Sequence, residues 1–139
     1  MGIKTTKIFH LALEVDWMKA QTENITYFPP TYDQDGFTHG TGEAAKLLDV
    51  ANHFYRENKG EWVCLEMPEH QLNDSGAIVR YEPAAAVGNK SGKLVSIEES
   101  KPLFPHIYGG IHPSVVTGVY AVERASDGRF LSIDFSGLG

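Results

Sequence analysis

The stretch Lys7-Ile8-Phe9-His10-Leu11-Ala12-Leu13 is short, apolar on both faces and preceded by polar residues. This pattern predicts a buried β-strand rather than a turn of helix. Alternate side chains of a strand share a face, so His10 lies on the same face as Ile8 and Ala12. We therefore expect the imidazole of His10 to lie inside the protein.

A short helix and a turn are predicted after this strand. Asp16 is expected to be the N-cap of a helix that begins at Trp17. Residues 31–36 have turn chemistry throughout, because nearly all of them are residues that favour turns. Residues 37–41 then form a very short strand.

A second, longer helix follows the short strand. Thr41 is expected to be its N-cap, and Gly60 is expected to stop it. Apolar side chains recur at three- and four-residue steps along this segment, as an amphipathic helix requires. They are Ala44, Leu47, Leu48, Ala51, Phe54 and Tyr55.

The C-terminal half of the chain is predicted to be mostly β-strands. Runs typical of strands, separated by Pro, Gly, Asn or Asp, occupy residues 61–67, 77–82, 94–97, 115–123 and 130–135. We expect 115–123 to be a central buried strand that forms a hairpin with the last run. The order strand, helix, strand, helix and then several strands indicates an α+β fold rather than a doubly wound parallel sheet.

Length and charge limit the domain number and the partners. The 139 residues are 42% hydrophobic, which predicts a single domain, residues 1–139. Lys and Arg number 12 against 18 Asp and Glu, so the formal net charge is −6. A chain of this charge repels a nucleic acid backbone, and we expect no nucleic acid partner.

Cysteine content and hydropathy favour a cytoplasmic location. The single cysteine, Cys64, lies in an apolar run and is expected to be a small buried side chain in a reducing compartment. The N-terminus lacks the apolar core of a signal peptide, and polar residues and Gly interrupt the longest apolar stretch, 115–122. We expect no membrane partner.

The unusual feature of the sequence is the placement of three histidines. Common nucleotide and hydrolase motifs are absent from it: there is no Gly-Lys-Thr phosphate loop, GxGxxG, CxxC or GxSxG. His10, His39 and His106 instead lie in short apolar segments. A buried imidazole is costly without a partner, so these side chains require hydrogen bonds, a ligand or a metal ion.

Two of these histidines have both a functional and a packing interpretation. His39 comes just before the helix predicted to begin near Thr41, whose free N–H groups favour an anion such as a phosphate. A histidine that braces the loop explains the same position. His106 follows Pro105 and precedes Gly109-Gly110, where the backbone can approach a ligand closely or form a packed turn.

Three further side chains are suited to a nucleotide. Tyr81 and Tyr108 are aromatic groups of the kind that stack on a base, and Glu82 can accept a hydrogen bond from a sugar hydroxyl. A Glu before Pro83 is equally typical of a solvated loop end. These residues are therefore candidates for binding or catalysis.

One set of short motifs spans nearly the whole chain in order, and its most specific element is the run Phe104-Pro105-His106-Ile107-Tyr108-Gly109. The other members are Ile8-Phe9-His10, Trp17 with Ala20, Gly36-Phe37-Thr38-His39, Phe54-Tyr55, Tyr81-Glu82 and Gly128-Arg129-Phe130. In this set the sequence resembles a known family, the bacterial and plant domain of unknown function 952. The chain departs at Gly40-Thr41, where the family usually has Cys-Ser, and at Thr38, where Ile is usual.

The resemblance implies a distant relation to the ADP-ribosyltransferase fold, a split, curved, mostly antiparallel sheet with a few flanking helices and NAD in its cleft. It implies that His10 contacts the nicotinamide ribose and that His39 lies near the nicotinamide. The third position, a catalytic Glu in that fold, is open between His106 and Glu82. With the candidates from the residues themselves, the catalytic set is His39, His106 and Glu82, and the NAD-binding set is His10, Thr41, Tyr81 and Tyr108.

Three functions therefore remain. The first is an NAD- or nucleotide-linked ADP-ribosyltransferase-like enzyme, in which a carboxylate stabilises the ribosyl cation as nicotinamide leaves. The second is a module that binds a nucleotide or another small molecule without catalysis. The third is a metal-dependent hydrolase-like protein in which three imidazoles hold a divalent ion, although no HxH spacing supports it. We therefore assign no residue to a metal site.

Overall fold

The computed structural model describes residues 6–83 and 103–135, which form seven strands and four α-helices. The strands are β1 (Lys7–Leu13), β2 (Thr38–His39), β3 (Trp62–Pro68), β4 (Ile78–Pro83), β5 (Leu103–Tyr108), β6 (Gly118–Arg124) and β7 (Phe130–Ile133). The helices are α1 (Glu14–Glu23), α2 (Tyr32–Asp35), α3 (Leu47–Phe54) and α4 (Glu69–Asp74), and 3-10 turns occupy Ala44–Lys46 and Pro113–Val115. None of the helices in these two ranges is long and apolar enough to cross a membrane.

The strands form two antiparallel sheets. The four-stranded sheet has the order β1-β3-β6-β7, and the three-stranded sheet has the order β2-β5-β4. The expected α+β class, with a split, curved antiparallel sheet and a few helices, is confirmed. The finer likeness to the ADP-ribosyltransferase fold stays a prediction.

A two-residue segment joins the two sheets. The N–H of Gly40 donates to the carbonyl of Pro105 in β5 at 2.9 Å. The next residue, Thr41, exchanges two backbone hydrogen bonds of 2.8 Å with Phe9 in β1. A methyl group on Gly40 would lie 2.8 Å from the Pro105 oxygen and 2.9 Å from the Ile8 side chain, so only glycine fits. We call Gly40-Thr41 the seam.

The core consists of two apolar clusters that share β1 and β3. Phe9 and Leu11 of β1 pack with the apolar face of α3, whereas Ile8 and Ala12 pack with Trp17 of α1. The alternation predicted for residues 7–13 is therefore confirmed. Every residue of β3 is buried, because β3 pairs with both β1 and β6 and has a cluster on each face.

Both predicted helix starts are wrong. The first helix begins at Glu14 instead of Trp17, and Asp16 makes no capping bond because it lies within the first turn. The longer helix begins at Leu47, after a 3-10 turn, because the backbone of Thr41 is engaged in the seam. It ends at Phe54, before Gly60.

Other boundaries also differ from the sequence prediction. Residues 32–35 of the expected turn form the short helix α2. Residues 113–115 form a 3-10 turn, so β6 starts only at Gly118, and its residues alternate between buried and exposed instead of being buried throughout. The hairpin between β6 and β7 is confirmed, but β7 ends at Ile133. The strand predicted for 94–97 lies outside the described residues.

Candidate functional site

One row of side chains crosses the three-stranded sheet. His106 in β5 is paired in register with His39 of β2 on one side and with Arg80 of β4 on the other. Directly paired residues of antiparallel strands point to the same face, so the three side chains lie side by side. Period-two alternation adds Glu82 and Tyr108 to this face. The sheet thus brings together His39, His106, Glu82 and Tyr108 of the predicted site.

Glu82 is the centre of a hydrogen-bond network. Tyr108 donates its hydroxyl proton to Oε1 of Glu82 at 2.6 Å, and Nδ1 of His106 lies 2.8 Å from the same oxygen. The hydrogen bond from Tyr108, followed by that from His106, lowers the pKa of Glu82, and the same bond raises the pKa of Tyr108. Glu82 is therefore an ionised carboxylate at neutral pH. Within the described residues its Oε2 accepts no hydrogen bond, and the side chain is 37% exposed.

His39 forms a second histidine–carboxylate pair. Its Nε2 lies 2.9 Å from Oδ2 of Asp35, whose side chain is almost fully buried. Gly36, at φ +84°, ends α2 and lets the chain turn so that Asp35 lies over His39. Burial lowers the pKa of His39, although the bond to Asp35 opposes that effect. A neutral His39 that donates from Nε2 keeps a lone pair on Nδ1.

Phe37 covers the two histidines. Its ring stacks on His106 with centroids 4.1 Å apart and planes 20° apart, and it lies 4.6 Å from His39 and 5.3 Å from Tyr108. The rings of His39 and His106 are 5.8 Å apart. Sequence analysis did not identify Phe37 or Asp35 as site residues. The spacing Phe37-x-His39 in a strand was the available signal for Phe37, because residues two apart share a face.

The ring of His10 bonds to the backbone of His39 and reaches the other site residues only indirectly, through that contact. Its Nδ1 lies 2.6 Å from the carbonyl oxygen of His39, which can only accept, so the proton is on Nδ1. Burial lowers the pKa of His10 to about 4, and the imidazole is therefore neutral. Its ring packs against Tyr27 at 5.6 Å and lines a cavity of about 60 Å³ under Pro29 and Pro30.

Two of the predicted ligand-binding residues lie away from the cluster. Tyr81 points to the opposite face of β4 and donates its hydroxyl proton to Glu69 at 2.6 Å. Thr41 is 4% exposed and belongs to the seam. The helix N-terminus that was expected to place an anion beside His39 is not there, because α3 starts only at Leu47.

The three-histidine metal site is not supported by the geometry. Across residues 6–83 and 103–135, no three His, Cys, Asp or Glu side chains are arranged to hold a metal ion. His10 is separated from the other two imidazoles by the backbone of His39, to which it bonds. Each of the other two is instead bonded to a carboxylate.

Comparisons with known proteins identify a family and a fold. No curated protein matches the chain. A crystal structure of protein CC0527 from Caulobacter crescentus superposes with a TM-score of 0.66 and 18% identity, covering 91% of this chain and 94% of that one. A double mutant of the same protein gives the same values, and at this identity the likeness concerns the fold alone. A family model described as "Protein of unknown function (DUF952)" matches residues 12–119. The chain therefore belongs to the DUF952 family.

Proposed function

We propose that the face of the three-stranded sheet binds a nucleotide and that the protein is an ADP-ribosyltransferase-like enzyme with NAD as its substrate. The observation that carries the proposal is Glu82, a partly exposed, ionised carboxylate held by His106 and Tyr108, whose rings both contact Phe37. The substrate class comes from the ADP-ribosyltransferase likeness that the sequence resemblance implies.

The groups on this face fit the parts of a nucleotide. Phe37 and Tyr108 offer aromatic surface for a base or a pyridine ring. Oε2 of Glu82 makes no hydrogen bond to the described residues and can accept one from a ribose hydroxyl. His10 acts one step further away: it fixes the carbonyl of His39 and is a positioning residue.

The reaction would break the bond between the ribose C1′ and the nicotinamide nitrogen. The electron pair leaves with nicotinamide, and the positive charge left on the ribose is stabilised by the Glu82 carboxylate. A hydroxyl or water then bonds to C1′ and loses its proton. Neutral His39, with its lone pair on Nδ1 and Asp35 at Nε2, is suited to take that proton.

A second candidate function is a nucleotide-binding module without catalysis. The observation that favours it is the cover over His106, which is 3% exposed beneath the stacked ring of Phe37. A group so covered cannot touch a reacting atom unless Phe37 moves.

The test measures binding and nicotinamide release on the same samples. NAD and ADP-ribose are expected to raise the melting temperature, since a ligand at 100 times its Kd adds about 2.7 kcal/mol. Glu82→Gln should reduce nicotinamide release by about 100-fold or more, as expected when a group that stabilises the transition-state charge is removed. Glu69→Gln, on the opposite side of β4, is the control and should keep the wild-type rate.

The other outcomes separate the two functions. Binding of NAD without release of nicotinamide supports the module and rejects the enzyme. If neither nucleotide raises the melting temperature of the wild type, both functions are wrong.

A further inference from the structure

Arg80 is the member of the central row that no function above uses. It is exposed and lies directly beside His106 in the sheet register. Its guanidinium carbon is 5.8 Å from the centre of the Tyr108 ring, so the charge lies over the candidate site. Two residues further along β4, on the same face, is Glu82.

None of the described residues takes up the N–H donors of the Arg80 guanidinium. It makes no hydrogen bond or ion pair with any residue in the described ranges, not even with neighbouring Glu82. Lys46, a described cation that also lies near this face, is 5.8 Å above the ring of Phe104 and is paired with Glu43 at 2.8 Å. In a chain with a net charge of −6, a cation on this face that makes no hydrogen bond or ion pair with the described residues is a specific feature of the site.

We propose that Arg80 binds an ionised phosphate group of the ligand, which makes the ligand class a nucleotide with phosphate next to its ribose. This inference rests on the proposed function. A guanidinium matches phosphate oxygens with two parallel N–H donors, and Arg is the preferred side chain for such recognition. The chain thus offers an anion to the sugar hydroxyls and a cation to the phosphate.

The spacing of the two charges agrees with this ligand class. Residues two apart in a strand are separated by about 6.6 Å along it. The hydroxyls of a ribose and its 5′-phosphate are separated by a similar length within one nucleotide. A single ligand can therefore contact Glu82 and Arg80 together, with its ring toward Phe37.

The experiment compares two ligands that differ in phosphate. Isothermal titration calorimetry measures the Kd of ADP-ribose and of adenosine for the wild type, Arg80→Gln and Arg129→Gln. Arg80→Gln should raise the Kd of ADP-ribose by about tenfold or more, which is the loss expected for a hydrogen bond to a charged group. The same substitution should change the Kd of adenosine by less than about twofold. Arg129→Gln makes the same charge change on the exposed turn before β7 and should alter neither Kd.

The proposal is overturned if Arg80→Gln raises the Kd of both ligands by the same factor or changes neither Kd. A failure of the proposed function looks different, because then neither ligand binds the wild type. In that case inorganic pyrophosphate is titrated while the side-chain Nε–H signal of Arg80 is followed by NMR. A saturable shift upholds the anion site without a nucleotide, and an unmoved signal overturns it.

Discussion

At the scale of single residues, His10 shows how burial sets a protonation state. The ring is 3% exposed, and burial lowers its pKa to about 4. In the unfolded chain a histidine has an ordinary pKa near 6.5. Between these two values the unfolded state binds more protons than the folded state, so acid favours unfolding in this range. Above the ordinary value the linkage has no effect.

Replacing His10 should remove this part of the pH dependence. We expect the unfolding free energy of the wild type to fall by about 2 kcal/mol more between pH 7 and pH 5 than that of His10→Asn, which keeps a side-chain N–H donor. Urea denaturation at pH 7 and at pH 5 measures this difference in the free energy of unfolding. His70→Asn, at an exposed position, should follow the wild type. Equal pH slopes for the wild type and His10→Asn would contradict the burial of a neutral imidazole.

Tyr108 and Glu82 are expected to titrate as a coupled pair. Because the hydrogen bond from Tyr108 is the main cause of the lowered pKa of Glu82, Tyr108→Phe should raise that pKa toward its ordinary value. The folded network stabilises the protein above the ordinary Glu range and loses that contribution as the pH falls through the lowered pKa. A pH titration that follows the side-chain carboxyl carbon of Glu82 by NMR measures this change in pKa. The hydroxyl of Tyr81 bonds to Glu69 instead, so Tyr81→Phe should leave the pKa of Glu82 unchanged.

At the scale of elements, the seam couples the two sheets at one glycine. Gly40→Ala forces its methyl group against the Pro105 carbonyl and Ile8, so we expect a loss of about 1–3 kcal/mol in the unfolding free energy, as for overpacked cores. At Gly42 the nearest atom to an added methyl group is 3.9 Å away. Gly42→Ala should therefore be neutral or slightly stabilising. Equal effects of the two substitutions in urea denaturation would show that the seam is not tightly packed.

Strands were easier to predict from the sequence than helix starts. The apolar residues of 7–13 indicate burial on both faces of β1, and this can be seen from neighbouring residues alone. Thr and Asp often cap helices, but at Thr41 and Asp16 the pairing and the starting point of neighbouring elements prevent it. Thr41 pairs with Phe9, 32 positions earlier, and the first helix starts directly after β1. Such long-range pairing is not visible in a single sequence.

The candidate site was only partly predictable from the sequence. His106 and Tyr108 are two apart and share a face of β5, but residues 103–108 were not among the predicted strands, so their common face was not predicted. The pairing of Arg80 and His39 with His106 depends on the register of three strands that are distant in the sequence. Asp35 reaches His39 only because Gly36 adopts a left-handed conformation. Neither feature has a pattern that a single sequence displays.

At the scale of the whole molecule, a second concave surface competes with the sheet face as a binding site. A groove of about 990 Å³ lies between the segment 56–61 and the turn 124–128. Its central cation, Arg124, already donates to the carbonyls of Gly128, Asn58 and Gly60, among others. Arg56 lies 3.6 Å from Asp127. The lining also holds Lys59 beside the acidic Glu57, Glu61 and Asp127. With both arginines engaged and three carboxylates present, the groove is less suited to a phosphate than the face that carries Arg80.

An NMR titration with ADP-ribose tests the central claim most directly, because it shows where a nucleotide binds. We predict saturable shifts at the side chains of His39, His106 and Glu82 and at the ring of Phe37, with the groove at 124–128 unchanged. The opposite result, with shifts confined to that groove or with no shifts at millimolar ligand, would contradict the assignment of the three-stranded sheet as the functional face.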